Sequence, residues 1–191
     1  MSLPDTRKTA ASFARRTALF GLLAGVALVS ACQVRPLYSN QPLSTGSTVS
    51  AREELASIAV KPVSSRYAQQ VRNNLIFALT GGGERPNAPA YSLALNVTES
   101  VISTASIQVA KDQDQPTAGT VIMTAAYTLT DAKTGKSVAN GQRSISSSFD
   151  KPGQEFASYR AQIDAENRAA RELAELLHLA LAQDLAKPGA R

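Results

Sequence analysis

Apolar and polar residues alternate along two long stretches in the middle of the chain. Within residues 91–109 and 121–129 most apolar side chains fall on odd positions. A period of two predicts β-strands that bury one face. These odd positions are Tyr91, Leu93, Leu95, Val97, Val101, Ala105, Ile107 and Val109, then Val121, Met123, Ala125, Tyr127 and Leu129. Glu99 and Ser103 interrupt the first series, which predicts either a bulge or an exposed extension at that place.

Helical spacing and turn residues predict the remaining elements. Ser65 is a predicted helix cap, and Gly81-Gly82-Gly83 ends the helix that follows it. Gly135 supplies the positive φ of a hairpin turn. The other predicted elements are a first strand within residues 55–60, a loop over 111–116, the hairpin turn over 131–136, a fourth strand over 137–149 and a long helix over about 158–185.

The predicted element order is β–α–β–β–β–α. Three consecutive antiparallel strands with one polar face place both helices on the other face. The expected fold class is therefore α+β, a two-layer sandwich in which two helices cover one face of a mostly antiparallel four-stranded sheet.

Composition narrows the chemistry that this fold can carry. The 191 residues include one Cys, one His and no Trp. Cysteine-based zinc sites, internal disulfides and thioredoxin-like redox centres are therefore excluded, and a histidine-dependent triad would need His178. Apolar residues make up 43% of the chain, which is enough for one packed domain.

Much of the net charge of +5 belongs to the N-terminal segment, which carries Arg7, Lys8, Arg15 and Arg16 against Asp5. Downstream of this segment no run of Lys or Arg is interleaved with aromatic residues. The charge therefore does not predict a nucleic-acid partner.

The N-terminus has the pattern of an export signal that ends at the cysteine. Residues 18–29 are uncharged and mostly apolar, but a membrane span needs about 20 such residues, so they predict a cleaved secretory signal. Val29-Ser30-Ala31-Cys32 resembles the lipobox of bacterial lipoproteins. This resemblance implies a diacylglycerol on the Cys32 thiol and removal of residues 1–31. Arg15-Arg16 weakly resembles a twin-arginine signal, but the ordinary Sec route is favoured.

The residues after Cys32 carry a second resemblance. Val34-Arg35-Pro36-Leu37-Tyr38, together with the element order downstream, resembles the LptE family of lipopolysaccharide-assembly lipoproteins. The resemblance implies a non-enzymatic protein without a cofactor, which sits inside the LptD β-barrel, supports barrel assembly and contacts lipopolysaccharide. Gln33, where lipoproteins of the inner membrane commonly carry Asp, implies lipid-anchored residence at the outer membrane. The implied organisation is a signal peptide over 1–31, a lipidated tether over 32–50 and one LptE-like domain over 51–187.

Four basic residues are candidate contacts for an anionic glycolipid or for the barrel, because guanidinium and ammonium groups bind phosphate. In the predicted topology they cluster around strand ends and the hairpin between the third and fourth strands: Lys111, Lys133, Lys136 and Arg143. The polar face of the third strand, with Thr120, Thr124, Thr128 and Thr130, suits either water or the polar lumen of a barrel.

Other candidates have simpler explanations. His178 has no nucleophile or acid at recognisable spacing, so it is expected at the edge of the core. Asp112 and Asp114 lack the Gly and distal Glu of a calcium loop, and we expect no metal site. The triple glycine follows a helix, so it cannot present a helix N-terminus to phosphate.

Two alternatives to the leading hypothesis stay open at the level of sequence. An auxiliary lipoprotein of a periplasmic lipid transporter would share the lipobox and a compact α+β domain. A lipid-anchored hydrolase is disfavoured by the shortage of His and Cys and by the lack of a Gly-x-Ser-x-Gly elbow.

Overall fold

The computed structural model describes residue 42 and residues 49–84, 86–110 and 113–187. Three helices and four strands occur in this part of the chain. In chain order they are α1 (Ala51–Ala56), β1 (Ile58–Val60), α2 (Arg66–Thr80), β2 (Tyr91–Ala110), β3 (Gln113–Asp131), β4 (Ser137–Asp150) and α3 (Glu155–Leu185).

The strands form one sheet in the order β1-β2-β3-β4. β1 runs parallel to β2, with Ile58 opposite Tyr91 and Val60 opposite Leu93. The β2–β3 and β3–β4 pairs are antiparallel. The predicted α+β class is confirmed, but the sheet is mixed, because α2 carries the chain back across the sheet between β1 and β2, which makes these two strands parallel.

The first predicted strand is partly wrong. Residues 51–56 form the short helix α1, and only residues 58–60 form β1. The cause is a capping box at the start of α1, where the Ser50 hydroxyl accepts from the Glu53 backbone N–H at 3.3 Å and the Glu53 carboxylate accepts from the Ser50 N–H at 3.2 Å. These two local hydrogen bonds favour a helix over the strand that the apolar run from Leu55 suggests. The described chain therefore has three helices, one more than predicted.

The core lies between the sheet and helices α2 and α3. The odd positions of β2 and β3 point into it, and Leu93, Met123 and Leu129 are fully buried. On α3, Leu173, Leu177 and Leu181 are fully buried as well. Both helices therefore cover the same face of the sheet, as the period-two pattern predicts.

The ends of the helices follow their capping residues. The Ser65 side chain accepts from the Ala68 N–H at the start of α2, and Gly81 ends the helix with φ +62°. Both ends agree with the sequence prediction. α3 starts at Glu155, before the predicted residue 158, and its N-cap Gln154 makes no side-chain hydrogen bond. The sequence therefore holds no capping signal that could have fixed this boundary.

Two glycines let aromatic rings lie across the sheet. A Cβ at Gly119 would be 2.6 Å from Phe149 Cζ, and one at Gly141 would be 2.7 Å from the Tyr127 hydroxyl. Both distances are shorter than any side chain tolerates, so these strand glycines make room for rings that fill the core.

β2 and β3 extend beyond the helix layer as a two-stranded ribbon. We call residues 104–110 and 113–117, which lie beyond the last β3–β4 pair of Ala118 with Asp150, the ribbon. Its register shifts near Ser103, Ala105 and Gln108 confirm the expected bulge, and its exposed side chains confirm the extension. The predicted loop over 111–116 is too long, because β3 already begins at Gln113 and includes Pro116 opposite Ser106. A strand accepts this proline because it lies at a register shift.

Candidate functional site

The β3–β4 hairpin presents two of the predicted cations. Lys133 and Lys136 are both exposed. The Asp131 side chain accepts hydrogen bonds from the Lys133 N–H at 2.9 Å and from the Thr134 N–H at 2.7 Å, and Gly135 closes the turn at φ +70°. These bonds hold the pKa of Asp131 below its ordinary value, and the bond from Thr134 has the largest effect. The turn is therefore preorganised, and the backbone that carries its two lysines is held in place.

The β3–β4 hairpin lies at the same end of the sheet as α1. The Ala132 N–H donates to the Ala90 carbonyl at 2.9 Å, and the Ala90 N–H donates to the Ser57 carbonyl at 3.0 Å. Ser57 directly follows α1, so the N-terminal helix and the two lysines share one end of the sheet.

Arg143 is separate from the hairpin lysines. It lies opposite Ala125 on the helix side of the edge strand β4, and it is half-buried. Its Nη1 donates to the Gln142 carbonyl at 2.8 Å, and its charge favours the ionised form of Asp184. An inward-pointing charge on an edge strand also discourages edge-to-edge pairing, which gives Arg143 a structural role on its own.

The predicted basic cluster is therefore divided. Lys111 lies outside the described residues, between the end of β2 and the start of β3. Gln113, the first described residue after Lys111, and the β3–β4 hairpin are at opposite ends of β3, about 60 Å apart along a strand that rises about 3.3 Å per residue. Only Lys133 and Lys136 are brought together, because they share a turn.

The sheet face away from the helices is rich in hydroxyl groups. We call it the hydroxyl face, and it consists of Ser92, Thr98, Thr120, Thr124, Thr128, Thr130, Ser144, Ser146 and Ser148. Hydroxyl pairs link β3 to β4, at 3.0 Å between Thr120 and Ser148 and at 2.9 Å between Thr124 and Ser144. The predicted threonine row is confirmed. No helix of the described chain covers this face, so it offers donors and acceptors to a polar surface.

A buried polar group ties α3 to β3 behind the hydroxyl face. The Tyr127 hydroxyl donates to Asp184 Oδ2 at 2.6 Å, and Lys187 Nζ donates to Asp184 Oδ1 at 2.6 Å. Burial and the bond to Asp184 raise the pKa of Tyr127 to about 12. Burial acts to raise the pKa of Asp184, but the bonds from Lys187 and Tyr127 outweigh it and hold that pKa below its ordinary value. The group fastens the C-terminal end of α3 to β3.

The remaining sequence candidates hold no site in the described chain. His178 is buried in α3, and burial lowers its pKa while nearby Glu175 opposes this effect. Gly81 and Gly82 end α2 with positive φ, as expected. Cys32 and Asp112 lie outside the described residues, as does the side chain of Asp114. Among the described side chains no group of His, Cys, Asp and Glu is arranged to hold a metal.

Sequence reasoning missed an acidic cluster where the helix layer stops over β2. Arg66 at the start of α2 forms an ion pair with Glu166 of α3 and donates to Asn167 at 3.3 Å. Glu99 of β2 lies near Arg66, and burial raises its pKa while Arg66 partly offsets the effect. The only sequence signal was the polar break in the alternation at Glu99, which predicted geometry and no chemistry.

The helices of the described chain include none with the length and apolar character that a membrane crossing requires.

Comparisons with known proteins connect this architecture to one family. The family model described as LptE, lipopolysaccharide-assembly, matches residues 55–181. A protein described as a candidate lipoprotein from Caulobacter crescentus CB15 has a similar crystal structure, with a TM-score of 0.56 and 28% identity over 72% of this chain and 96% of that chain.

Two further structures are similar at lower identity. The rare lipoprotein B from Shewanella oneidensis gives a TM-score of 0.46 at 12% identity, over 65% of this chain and 91% of that chain. A minor lipoprotein from Acinetobacter baumannii gives 0.45 at 11% identity, over 65% of this chain and 87% of that chain. No curated protein matches the chain.

Proposed function

The chain belongs to the LptE family of lipopolysaccharide-assembly proteins, and from this membership we propose that it is a non-enzymatic, lipid-anchored partner of an LptD-like outer-membrane barrel. In this role it supports assembly of the barrel and contacts lipopolysaccharide on its way to the outer membrane. The observation that carries the proposal is the family match over residues 55–181, which covers nearly all of the sheet and its helices.

Contact with lipopolysaccharide is assigned to the β3–β4 hairpin. Lys133 and Lys136 are exposed on a turn that Asp131 holds rigid, so their ammonium groups meet an anionic headgroup without ordering the backbone first. Lys111 and Arg143 are weaker candidates. Lys111 belongs to the opposite connection, and Arg143 already interacts with Asp184.

Contact with the barrel is assigned to the hydroxyl face. The interior of an outer-membrane barrel is polar, and a surface rich in paired hydroxyls can exchange its water for contacts with such a wall. Thr124 and Ser144 lie near the centre of this face and are 2.9 Å apart. The helix side of the sheet is occupied by the core, so it is not available for this contact.

The membrane anchor is assigned to Cys32, with residues 1–31 as the cleaved signal and residues 32–50 as the tether. Acyl chains contribute about 0.8 kcal/mol for each buried CH₂ group, so two or more chains hold a soluble domain at a membrane. α1 begins at Ala51, at the same end of the domain as the hairpin lysines. The similarity to the Caulobacter crescentus structure described as a lipoprotein supports this assignment.

A detergent pull-down of the tagged full-length protein tests the proposal. We expect a large outer-membrane β-barrel to co-purify in stoichiometric amount, together with lipopolysaccharide. Recovery of inner-membrane transporter subunits instead would contradict the proposal and favour an auxiliary lipoprotein of a lipid transporter.

The anchor is tested separately with Cys32→Ala and metabolic labelling by a radioactive fatty acid. We expect the label to disappear while the circular dichroism of the domain is unchanged, because residue 32 precedes the described helices and strands. The matched control is Ser30→Ala, which keeps a small residue before the cysteine and should keep the label. Fatty-acid incorporation that persists in Cys32→Ala would refute the anchor without touching the partner assignment.

A further inference from the structure

The two edges of β2 are used very differently. On one side β3 pairs with β2 along its whole length, from Tyr91 to Ala110. On the other side, within the described residues, β1 pairs only with Tyr91, Ser92 and Leu93. β2 therefore continues past its short neighbour with an open edge, which we call the open edge and define as residues 95–101.

The backbone groups along this edge can be assigned from the bonds beside it. The Lys61 N–H donates to the Leu93 carbonyl at 2.9 Å, so Leu93 directs its backbone polar groups toward β1. Backbone direction alternates along a strand, so the odd residues Leu95, Val97, Glu99 and Val101 direct their N–H and C=O groups to the same side. These groups continue the ladder that β1 begins.

Space for another strand exists beside the start of the open edge. A groove of about 450 Å³ lies between β2 and the β1–α2 connection. Its lining residues are Pro62, Val63, Ser64, Ser65, Ala68, Leu95, Asn96 and Val97. β1 ends at Val60, and Pro62 has no backbone N–H with which to extend the ladder. The vacant strand position therefore begins where the groove begins.

The side chains along the open edge give the site its chemistry. Those that face the helix side are Leu95, Val97, Glu99 and Val101, and Val101 is 41% exposed because α2 begins only at Arg66. The open edge contains no Pro, Gly, Lys or Arg. Such an edge is a template for strand addition, with apolar pockets at alternate positions.

Glu99 is the one charge on this edge. Its Oε1 is buried and has no hydrogen-bond partner among the described residues. The nearby Arg66 is already paired with Glu166, so the three groups carry one net negative charge. A cation on a neighbouring strand would lie within about 5 Å of Glu99, since opposed residues on adjacent strands share a face.

We propose that the open edge binds an extended segment of another protein by strand addition, with a Lys or Arg opposite Glu99 and apolar residues two positions to either side. A second copy of this chain is the poorer occupant, because the same edge would bring another glutamate and no cation. Glu99 thereby also acts against self-pairing, as inward-pointing charges on edge strands do. The proposal concerns a different surface from the hairpin and the hydroxyl face, so it stands or fails independently of the lipopolysaccharide assignment.

The test uses the full-length protein in detergent and two synthetic peptides, Thr-Val-Thr-Lys-Thr-Val-Thr and the same peptide with Glu in place of Lys. We expect the Lys peptide to protect the amides of Val97 and Glu99 from hydrogen exchange and to bind about tenfold more tightly than the Glu peptide. In Glu99→Gln the two peptides should bind alike, because the charge that distinguishes them is gone.

Val101→Pro provides the backbone test, because it removes one outward N–H and leaves the ladder with β3 intact. We expect it to weaken the Lys peptide about tenfold, whereas the matched control Val101→Thr keeps the N–H and should retain binding. Exchange protection of the β3 amides reports that both variants stay folded. Equal binding of the two peptides to the parent, no protection by either, or unchanged binding in Val101→Pro would each overturn the proposal. A dimer in sedimentation that Val101→Pro dissociates would overturn it too, since the occupant would then be a second copy.

Discussion

The same two strands behave differently under the helix layer and in the ribbon. Beneath the helices, Leu93 and Val121 are fully buried, whereas Ile107 in the ribbon is 55% exposed. Both regions have the alternation that predicts a buried face. The difference shows that alternation defines which side chains share a face, while burial depends on whether another element lies over that face.

The N-terminal half of α3 shows the same contrast. Phe156 is 76% and Tyr159 59% exposed, although α3 is a single helix whose C-terminal half is lined with buried leucines. α2 has 15 residues and α3 has 31, so the longer helix extends past its partner. The unequal lengths leave apolar surface open at the ribbon end of the domain.

The largest expected effect on stability comes from a cavity in the region that the helices cover, compared with the same kind of truncation in the ribbon. Leu177→Ala should lower the free energy of unfolding by about 2–5 kcal/mol, because Leu177 is fully buried between α3 and the sheet. Ile107→Ala should change it by less than about 0.5 kcal/mol, since that side chain is already in solvent. Urea denaturation measures both. Similar losses in the two variants would mean that the ribbon is covered in solution.

A second test adds volume to the covered region. Gly119→Ala should cost about 1–3 kcal/mol, because the new methyl group would be 2.6 Å from Phe149 Cζ in a packed site. The matched control is Gly153→Ala, where the nearest atom to a new Cβ is Gln115 Nε2 at 3.6 Å and φ is not in the left-handed region. Thermal unfolding compares the two, and a Gly119→Ala protein as stable as the control would show that Phe149 does not fill the space beside β3.

The hydrogen bond from the Tyr127 hydroxyl of β3 to Asp184 of α3 should make the stability of the fold decrease at alkaline pH. The pKa of Tyr127 is raised to about 12, so the fold favours the neutral phenol. Its contribution to stability is fully present below the ordinary value of 10.0 and is lost as the pH rises from there toward about 12. Tyr127→Phe should be less stable at neutral pH by about 1–2 kcal/mol but should lose less stability over that alkaline range. Urea midpoints across the range, with Tyr159→Phe as the exposed control, measure this difference.

The smallest effect on stability is expected at the hairpin, where function depends on charge. Lys133→Glu combined with Lys136→Glu should change the free energy of unfolding little, because both side chains are exposed and carry no core contact. Each reversal should weaken lipopolysaccharide binding or barrel recovery by about 1 kcal/mol. Circular dichroism followed by binding and co-purification on the same sample measures both properties. A folded double variant that binds and co-purifies like the parent would remove the hairpin from the functional surface.

Local chemistry was sufficient for part of this fold. Ser65 and Gly81 cap the two ends of α2, and Gly135 shapes the β3–β4 turn. The period-two pattern identifies both faces of β3. These features depend on backbone preferences and on hydrogen bonds between residues close in sequence, so they can be inferred from the chain alone. The capping box at Ser50 and Glu53 was equally local and could have been found, but the apolar run after it suggested a strand.

The candidate site depended on contacts that no local pattern encodes. The sequence grouped Lys111 and Arg143 with Lys133 and Lys136, but the register places Ala110 and Gln113, which flank Lys111, at the far end of β3 from the hairpin and Arg143 on the helix side of β4. Glu99 interrupts an apolar face in the sequence, and only the meeting of α2, α3 and β2 gives it Arg66 as a neighbour and an open edge beside it. The sequence by itself determined the two ends of α2, the β3–β4 turn and the two faces of β3. Tertiary structure decided which faces are covered and which charges meet, because burial and electrostatics depend on distances between residues far apart in the chain.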